Sequence, residues 1–272
     1  MTLAQDREIH QETWEDIIIP PSDLWSDEPP LESDIHRLQI DLLINCINCW
    51  WRERQDFYAS GNLTIYYNPE QIKSRDFRGP DFFLVLGTER KLRKSWVVWA
   101  EEGKYPNIII EILSDSTAAV DRGKKKSLYQ DTFRTPDYFW FDPKTLEFSG
   151  FHLIDGKYQP IQPNEQGWLW SQQLELYLGI HQKMLRFFTA EGELVPTEAE
   201  YERQEKELAQ QRAEHEAQRA EHEAQRAESE AQRAEHEAQR AESEAQRAEH
   251  EAQRVQRLAA KLRELNINPD TI

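Results

Sequence analysis

The stretch that decides the fold is Ile108-Ile109-Ile110-Glu111-Ile112-Leu113. Apart from Glu111 every residue in it is β-branched or aliphatic, and such a run reads as a strand buried on both faces. Glu111 puts one carboxylate in the middle of that strand. A buried, unpaired carboxylate is strongly unfavourable, so a chain that keeps one there must supply a partner. The partner is either a cationic side chain or a metal ion, and the flanking sequence offers both. Upstream, Pro80-Asp81 opens a second apolar run, DFFLVL. Downstream comes DRGKKKSLY, which holds Asp121, Lys125 and Tyr129.

Two acids on neighbouring core strands, with a lysine on the next helix, make the layout of a hydrolytic metal site. Mg²⁺ is commonly held by one or two carboxylates and completes its shell with water and substrate phosphate. Such an ion lowers the pKa of a bound water and neutralises charge on a phosphoryl oxygen. A lysine ammonium can orient that water or stabilise charge developing in the transition state. Asp121, Lys125 and Tyr129 are spaced i, i+4, i+8 and form one helical stripe, while Lys124 and Lys126 point elsewhere. The plain alternative for Asp121 and Lys125 is a solvated i,i+4 pair. For Glu111 it is a buried ion pair without catalysis, and for Asp81 a turn residue after Pro80. The short linker SDSTAAV favours folding the stripe back over the strand that carries Glu111.

Working outward, the apolar spacing of Leu38, Leu42, Leu43, Cys46, Ile47 and Trp50 predicts a helix over 36–54. Strands are predicted at NLTIYY (62–67), DFFLVL (81–86), SWVVWA (95–100, in a hairpin-like excursion), NIIIEIL (107–113) and DYFWFD (137–142). A helix over about 121–133 separates the last two. LEFSGFHLI, GKYQPI, LRFFT and GELVP then read as an antiparallel extension. Cys46 and Cys49 are spaced C-x-x-C, but they fall in mid-helix and lack a second ligand pair. They read as ordinary buried thiols.

The set PDFF, IIEILSDST, DRGKKKSLY and PDYFWFDP resembles the Uma-two (Uma2) restriction-endonuclease family of the PD-(D/E)XK nuclease superfamily. The resemblance covers roughly 34–196. It implies an α/β fold with a restriction-endonuclease-like α-β-β-β-α-β core, in which Asp81 and Glu111 bind Mg²⁺ or Mn²⁺. The family's histidine at the first helix is matched by His36. The superfamily's lysine two residues after the second acid is replaced by Leu113. In relatives of this family the lysine function moves to the next helix, in a D-x-x-x-K-x-x-x-Y pattern, which Asp121, Lys125 and Tyr129 fit. The implied function is metal-dependent cleavage of nucleic acid, chiefly DNA. The competing reading is a non-catalytic interaction protein built on the same fold.

Charge tempers the partner expectation. The 272-residue chain has a net charge of −17, with 50 acids against 33 bases. From Glu200 onward there are 18 acids and 12 bases, so the part before it carries −11. That is not an evident duplex-binding surface. The local basic patches, Arg90–Lys94 and Arg122–Lys126, read equally as plain solvated loop and helix faces, and the expectation is weak, metal-dependent engagement. No apolar run approaches the roughly 18 residues of a membrane span. The polar, acidic start MTLAQDREIHQETWED is not a secretory signal. The expected compartment is the cytoplasm.

The expected organisation is a loosely packed polar lead-in (1–30), a nuclease-like domain (31–196) and a low-complexity helical tail (197–272). In the tail the unit AE(H/S)EAQR occurs six times between Ala213 and Arg254. Alanines recur at spacings of 3 and 4, a heptad with alanine at both seam positions. Glu216 and Glu223 at g and Glu221 at e flank that seam with like charge, and alanine knobs bury little area. A long solvated single helix, roughly 98 Å over 201–265, is therefore favoured over a tight homodimeric coiled coil. The stripe Val255, Leu258, Ala259, Leu262 and Leu265 offers weak self-association or partner docking.

Overall fold

The computed structural model describes residues 21–28, 31, 33–68, 79–114 and 121–264; of Asp121 and Arg122 only the backbone is described. Helix α1 runs Asp34–Trp50. Ser33 caps it: the hydroxyl accepts the His36 N–H at 3.3 Å from an extended backbone, which satisfies one of the free donors of the first turn. Its buried side is His36, Gln39, Ile40, Leu43, Cys46, Ile47 and Cys49. Cys46 and Cys49 are free, and burial pushes the Cys46 thiol up to about 11.

The central sheet contains β1 (Phe57–Ser60), β3 (Phe82–Leu86), β5 (Ile108–Ile112), β6 (Asp137–Phe141), β7 (Phe148–Ile154) and β8 (Lys157–Pro160), in that spatial order. The β5–β6 pair is parallel and the other pairs are antiparallel. A parallel pair needs a crossover, and the connection passes through helix α2. It is built from a π-type run Asp121–Lys125, one α turn Lys126–Leu128 and a second π-type run Tyr129–Phe133. Arg134 ends it in the left-handed region at φ 53°. The order helix, three sheet strands, helix, strand matches the α-β-β-β-α-β core expected from the sequence, and β7–β8 extend it antiparallel.

Period-2 alternation sends successive β5 residues to opposite faces. Ile108, Ile110 and Ile112 enter a core with Leu43 and Ile47 of α1. The same core holds residues of a second sheet, β9 (Leu169–Ser171), β10 (Leu176–His181) and β11 (Met184–Phe188). Gln39 holds α1 to β11 inside this core: its amide donates to the Leu185 carbonyl at 2.9 Å and accepts the Leu185 N–H at 2.8 Å. Ile109 and Leu113 face the other way, into a core with Tyr129 and Phe133 of α2 and the aromatic rings of Tyr58, Phe83, Trp96 and Tyr138. Glu111 shares that second face.

Three elements differ from the sequence expectation. The strand expected over 62–67 is only β2 (Ile65–Tyr66), and SWVVWA is not part of a hairpin. Its Trp96–Val97 forms β4, which pairs in parallel with β2, and Val98–Ala100 turn into a short 3₁₀ segment. The lead-in is not loose where it is described. Ser26 N–H donates to the Lys94 carbonyl at 3.0 Å, Ser95 Oγ to the Leu24 carbonyl at 2.7 Å and Tyr66 Oη to the Trp25 carbonyl at 2.8 Å. The short β2–β4 ribbon leaves backbone and hydroxyl groups that need partners, and this segment supplies them. Residues 1–20 lie outside the described part.

The chain forms two compact units, Met1–Glu202 and Arg203–Ile272. Helix α3 spans Glu198–Glu264 and has no buried residue. It starts on a capping box: Glu200 N–H donates to Thr197 Oγ1 at 3.2 Å, and Thr197 N–H donates to Glu200 Oε2 at 2.7 Å. Glu200 also pairs with the largely buried Arg186 at 2.7 Å, and the Arg52 guanidinium lies 3.7 Å over the Tyr201 ring. Within the repeat, Arg240 and Glu244 approach to 3.9 Å at i,i+4. No helix among the described residues is long and apolar enough to cross a membrane.

Candidate active site

The site stands where the β3–β5 ladder ends. Phe82 faces Ile110 in that ladder. Continuing the antiparallel register sets Asp81 opposite Glu111 and Pro80 opposite Ile112. Directly opposed residues share a face of a sheet, so the two acids are brought together by register. Their groups are cross-bonded. Asp81 N–H donates to Glu111 Oε2 at 3.3 Å, and the Ile112 N–H donates to Asp81 Oδ2 at 2.7 Å.

Pro80 has no N–H to offer the strand opposite. The Ile112 carbonyl instead accepts from His36 Nε2 at 2.7 Å. That bond fixes the proton on Nε2, and Nδ1 faces the Ser33 hydroxyl at 3.1 Å. His36 therefore ties the start of α1 to the residue after Glu111. It holds the strand rather than facing the acids.

From the other side α2 brings Lys125 and Tyr129 onto Glu111. Lys125 Nζ donates to Oε2 at 3.0 Å and Tyr129 Oη donates to Oε1 at 2.6 Å. Two adjacent runs of different helical pitch still leave residues four apart on one side of the helix. Lys126 points away, its ammonium 3.3 Å from the centre of the Phe151 ring, and Lys124 is exposed. The Asp121 side chain lies outside the described residues. The structure thus gathers Asp81, Glu111, Lys125 and Tyr129, with His36 one strand residue away.

Glu111 is fully buried. Burial pushes its carboxyl up to about 7; the Lys125 charge opposes that rise, the Asp81 charge adds to it, and the Tyr129 hydroxyl opposes it. A carboxylate in this state has a strong electrostatic demand for a cation. Among the described residues no group of three or more His, Cys, Asp or Glu side chains forms a metal centre. Asp81 and Glu111 are two hard oxygen donors, which suits Mg²⁺ or Mn²⁺ with water and phosphate in the other positions and does not suit a soft or fully protein-caged ion.

The basic patch at 90–94 is largely spent on structure. Arg93 makes a bidentate pair with Glu101 at 2.6 and 2.9 Å, and Arg90 donates to Asn48 Oδ1 at 2.9 Å. Sequence reasoning missed Glu28. Its Oε1 accepts the Thr64 hydroxyl at 3.0 Å, and burial raises its pKa while the Lys125 charge lowers it and the Glu111 charge raises it. No spacing signal links residue 28 to this site, because the link runs through the β2–β4 ribbon.

Residues 24–191 match the Uma2 family, described as "Putative restriction endonuclease". The chain belongs to this family. The crystal structure of "a putative nuclease belonging to DUF820 from Anabaena variabilis ATCC 29413" is similar at 15% identity, over 56% of this chain and 80% of that one, with a TM-score of 0.38. No curated protein matches the chain. Membership of Uma2 supports a nuclease, and with it a nucleic-acid substrate.

Proposed function

We propose that this Uma2 protein is a divalent-metal-dependent phosphodiesterase that cleaves nucleic acid, with DNA as the expected substrate. The observation that carries this reading is the convergence of Asp81, Glu111 and Lys125 at the end of one ladder, with two acids sharing a face beside the Lys125 ammonium. Asp81 and Glu111 would hold Mg²⁺ or Mn²⁺. When bound, that ion supplies a water of lowered pKa and charge neutralisation on the phosphoryl oxygen. Tyr129 fixes the Glu111 carboxylate plane through Oε1, so that Oε2 faces Asp81. Lys125 provides a positive charge for the attacking water or for the developing phosphorane charge. His36 keeps Ile112 in place and thereby the spacing of the two acids.

One observation favours a second reading. Glu111 is already supplied by Lys125 and Tyr129, which is what a structural ion pair in a non-catalytic interaction module would show. The deciding experiment is a cleavage screen on single-stranded, duplex and structured DNA and RNA with Mg²⁺ and Mn²⁺, run beside Glu111→Gln. Metal-dependent cleavage by the parent and none by Glu111→Gln supports the nuclease. Absence of cleavage on every substrate, with both metals, supports the interaction module.

A further inference from the structure

Glu111 Oε2 is asked to serve two cations. It is the oxygen that faces Asp81, accepting the Asp81 N–H at 3.3 Å, and it is the oxygen that Lys125 holds at 3.0 Å. Oε1 is turned to Tyr129. A divalent ion seated between the two acids therefore contends with the Lys125 ammonium for one atom, and repels it twice as strongly as a monovalent charge would. The Lys125 side chain is 13% exposed, so moving its charge off Glu111 without a new anionic contact is unfavourable.

Glu28 is placed to be that partner. Thr64 is fully buried, and its hydroxyl accepts the Asp27 N–H at 3.0 Å and donates to Glu28 Oε1 at 3.0 Å. The neighbouring Ser26 Oγ accepts the Thr64 N–H at 3.0 Å, so the segment is held on both sides of this bond. The Glu28 carboxylate lies against Gly79. A Cβ at Gly79 would come within 2.9 Å of Glu28 Cδ and 2.6 Å of the Leu63 carbonyl oxygen, so the close approach depends on glycine. Two residues on, the Asp81 N–H serves Glu111. One short turn, Gly79-Pro80-Asp81, thus has the Glu28 carboxylate beside its first residue and Glu111 on the N–H of its last, with the Cα atoms of Gly79 and Asp81 no more than about 7 Å apart. Lys125 acts electrostatically on both carboxylates. Asp81 is itself a proposed ligand and is engaged by the Ile112 N–H. Of the described carboxylates around Lys125, Glu28 is the one that the metal would not take.

We propose that Glu28 is a positioning residue for Lys125, receiving its ammonium when a divalent cation occupies Glu111. The proposal rests on the metal-dependent reading above. In the metal-free protein Lys125 neutralises Glu111. In the loaded protein it moves to Glu28 and stays beside the reacting centre.

The test is calorimetric Mn²⁺ binding to the full chain and to Glu28→Gln, Lys125→Met and the double variant. Glutamine keeps the length and the acceptor for Thr64 and removes only the charge. Glu28→Gln weakens Mn²⁺ binding about tenfold, in the usual range of site-to-site coupling. Lys125→Met tightens it, because the competitor is gone. In the Lys125→Met background Glu28→Gln has no further effect. Where Lys125→Met does not fold, Lys125→Gln, which can still donate to Glu111, takes its place. Unchanged affinity in Glu28→Gln overturns the proposal. An equal loss with and without Lys125 also overturns it, because Glu28 is then a direct ligand. A parent chain that binds no Mn²⁺ overturns it together with the metal site. The expected pattern of affinities without cleavage of any nucleic acid sinks the nuclease reading alone and leaves the hand-off standing.

Discussion

Lys125 and Glu111 meet at 3.0 Å in a place where the carboxylate is fully buried and the lysine side chain is half-buried. The Glu111 pKa still lies at about 7, so desolvation outweighs the attraction of its own partner. Glu111 is therefore balanced between holding a proton and pairing with its lysine.

Its pH dependence has a definite sign. The folded pKa of Glu111 is raised from 4.5 to about 7, so its contribution to stability is fully present below pH 4.5. It is lost as pH rises towards 7. The difference is on the order of 3 kcal/mol by the usual conversion. Chemical denaturation in chelator is expected to show parent and Glu111→Gln diverging between pH 4.5 and 7, the parent losing stability relative to the variant. A parallel course for the two proteins would mean that Glu111 does not titrate in that window.

The three lysines of α2 should separate cleanly. Lys125→Met leaves a buried carboxylate without its cation and is expected to cost about 3 kcal/mol at pH 8, with much less loss at pH 4, where Glu111 is protonated. It should also abolish cleavage. Lys126→Ala removes a cation from the Phe151 ring, worth about 0.5–1 kcal/mol, and Lys124→Ala should change stability by less than about 0.5 kcal/mol. Both should leave the cleavage rate within a few-fold of the parent. Denaturation midpoints and single-turnover rates on the three variants decide this.

Gly61 gives a way to move Asp81 without altering it. Asn62 N–H reaches both the Pro80 and Asp81 carbonyls at 3.2 Å. A Cβ at Gly61 would collide with the Asp81 carbonyl oxygen and with Ile40 Cγ2. Gly61→Ala is therefore expected to shift Asp81 away from Ile112, costing about 1–3 kcal/mol and weakening Mn²⁺ binding. Normal metal affinity in a destabilised Gly61→Ala protein would show that Asp81 does not set that affinity.

The boundary of the tail can be cut at two places with different outcomes. Ending the chain after Glu202 keeps Glu200 on Arg186 and Tyr201 beneath Arg52, and the midpoint should stay within about 2 °C of the parent. Ending it after Thr197 strips a largely buried guanidinium of its carboxylate and is expected to cost about 1–3 kcal/mol. The Arg186 hydrogen bond holds the Glu200 carboxyl down to about 2. The support it gives is therefore present above pH 4.5 and is lost as pH falls towards 2. Equal midpoints for the two truncations would mean that this contact is not stabilising.

Much of the core was legible because its strands are buried on both faces. The apolar runs at 82–86, 108–112 and 137–141 have no competing interpretation once their length is fixed, and the first helix declared itself by its spacing. β1 was missed because FYAS is four residues long, at the sheet edge, with only its first two residues buried. β2 and β4 are two-residue strands, too short for any period to register. The irregular pitch of α2 left no trace either, since i,i+4 spacing reads the same for both winding modes over so few turns. Lys125 and Tyr129 reach Glu111 from one side of their helix, as a spacing of four allows, while the Asp121 side chain of the expected stripe lies outside the described residues. Glu28 did not announce itself, because its place depends on a buried threonine 36 residues away.

The opposition of Asp81 and Glu111 across the β3–β5 ladder has a consequence for folding. Sliding that pairing by one residue would turn β5 over, sending Glu111 among Leu43 and Ile47 and pulling an isoleucine out of the apolar layer. The misaligned sheet would then carry a naked charge in hydrocarbon and have no site at all. Alignment of the strands and the meeting of Asp81 with Glu111 are one event here, so a chain folded in the wrong frame would lack that meeting altogether.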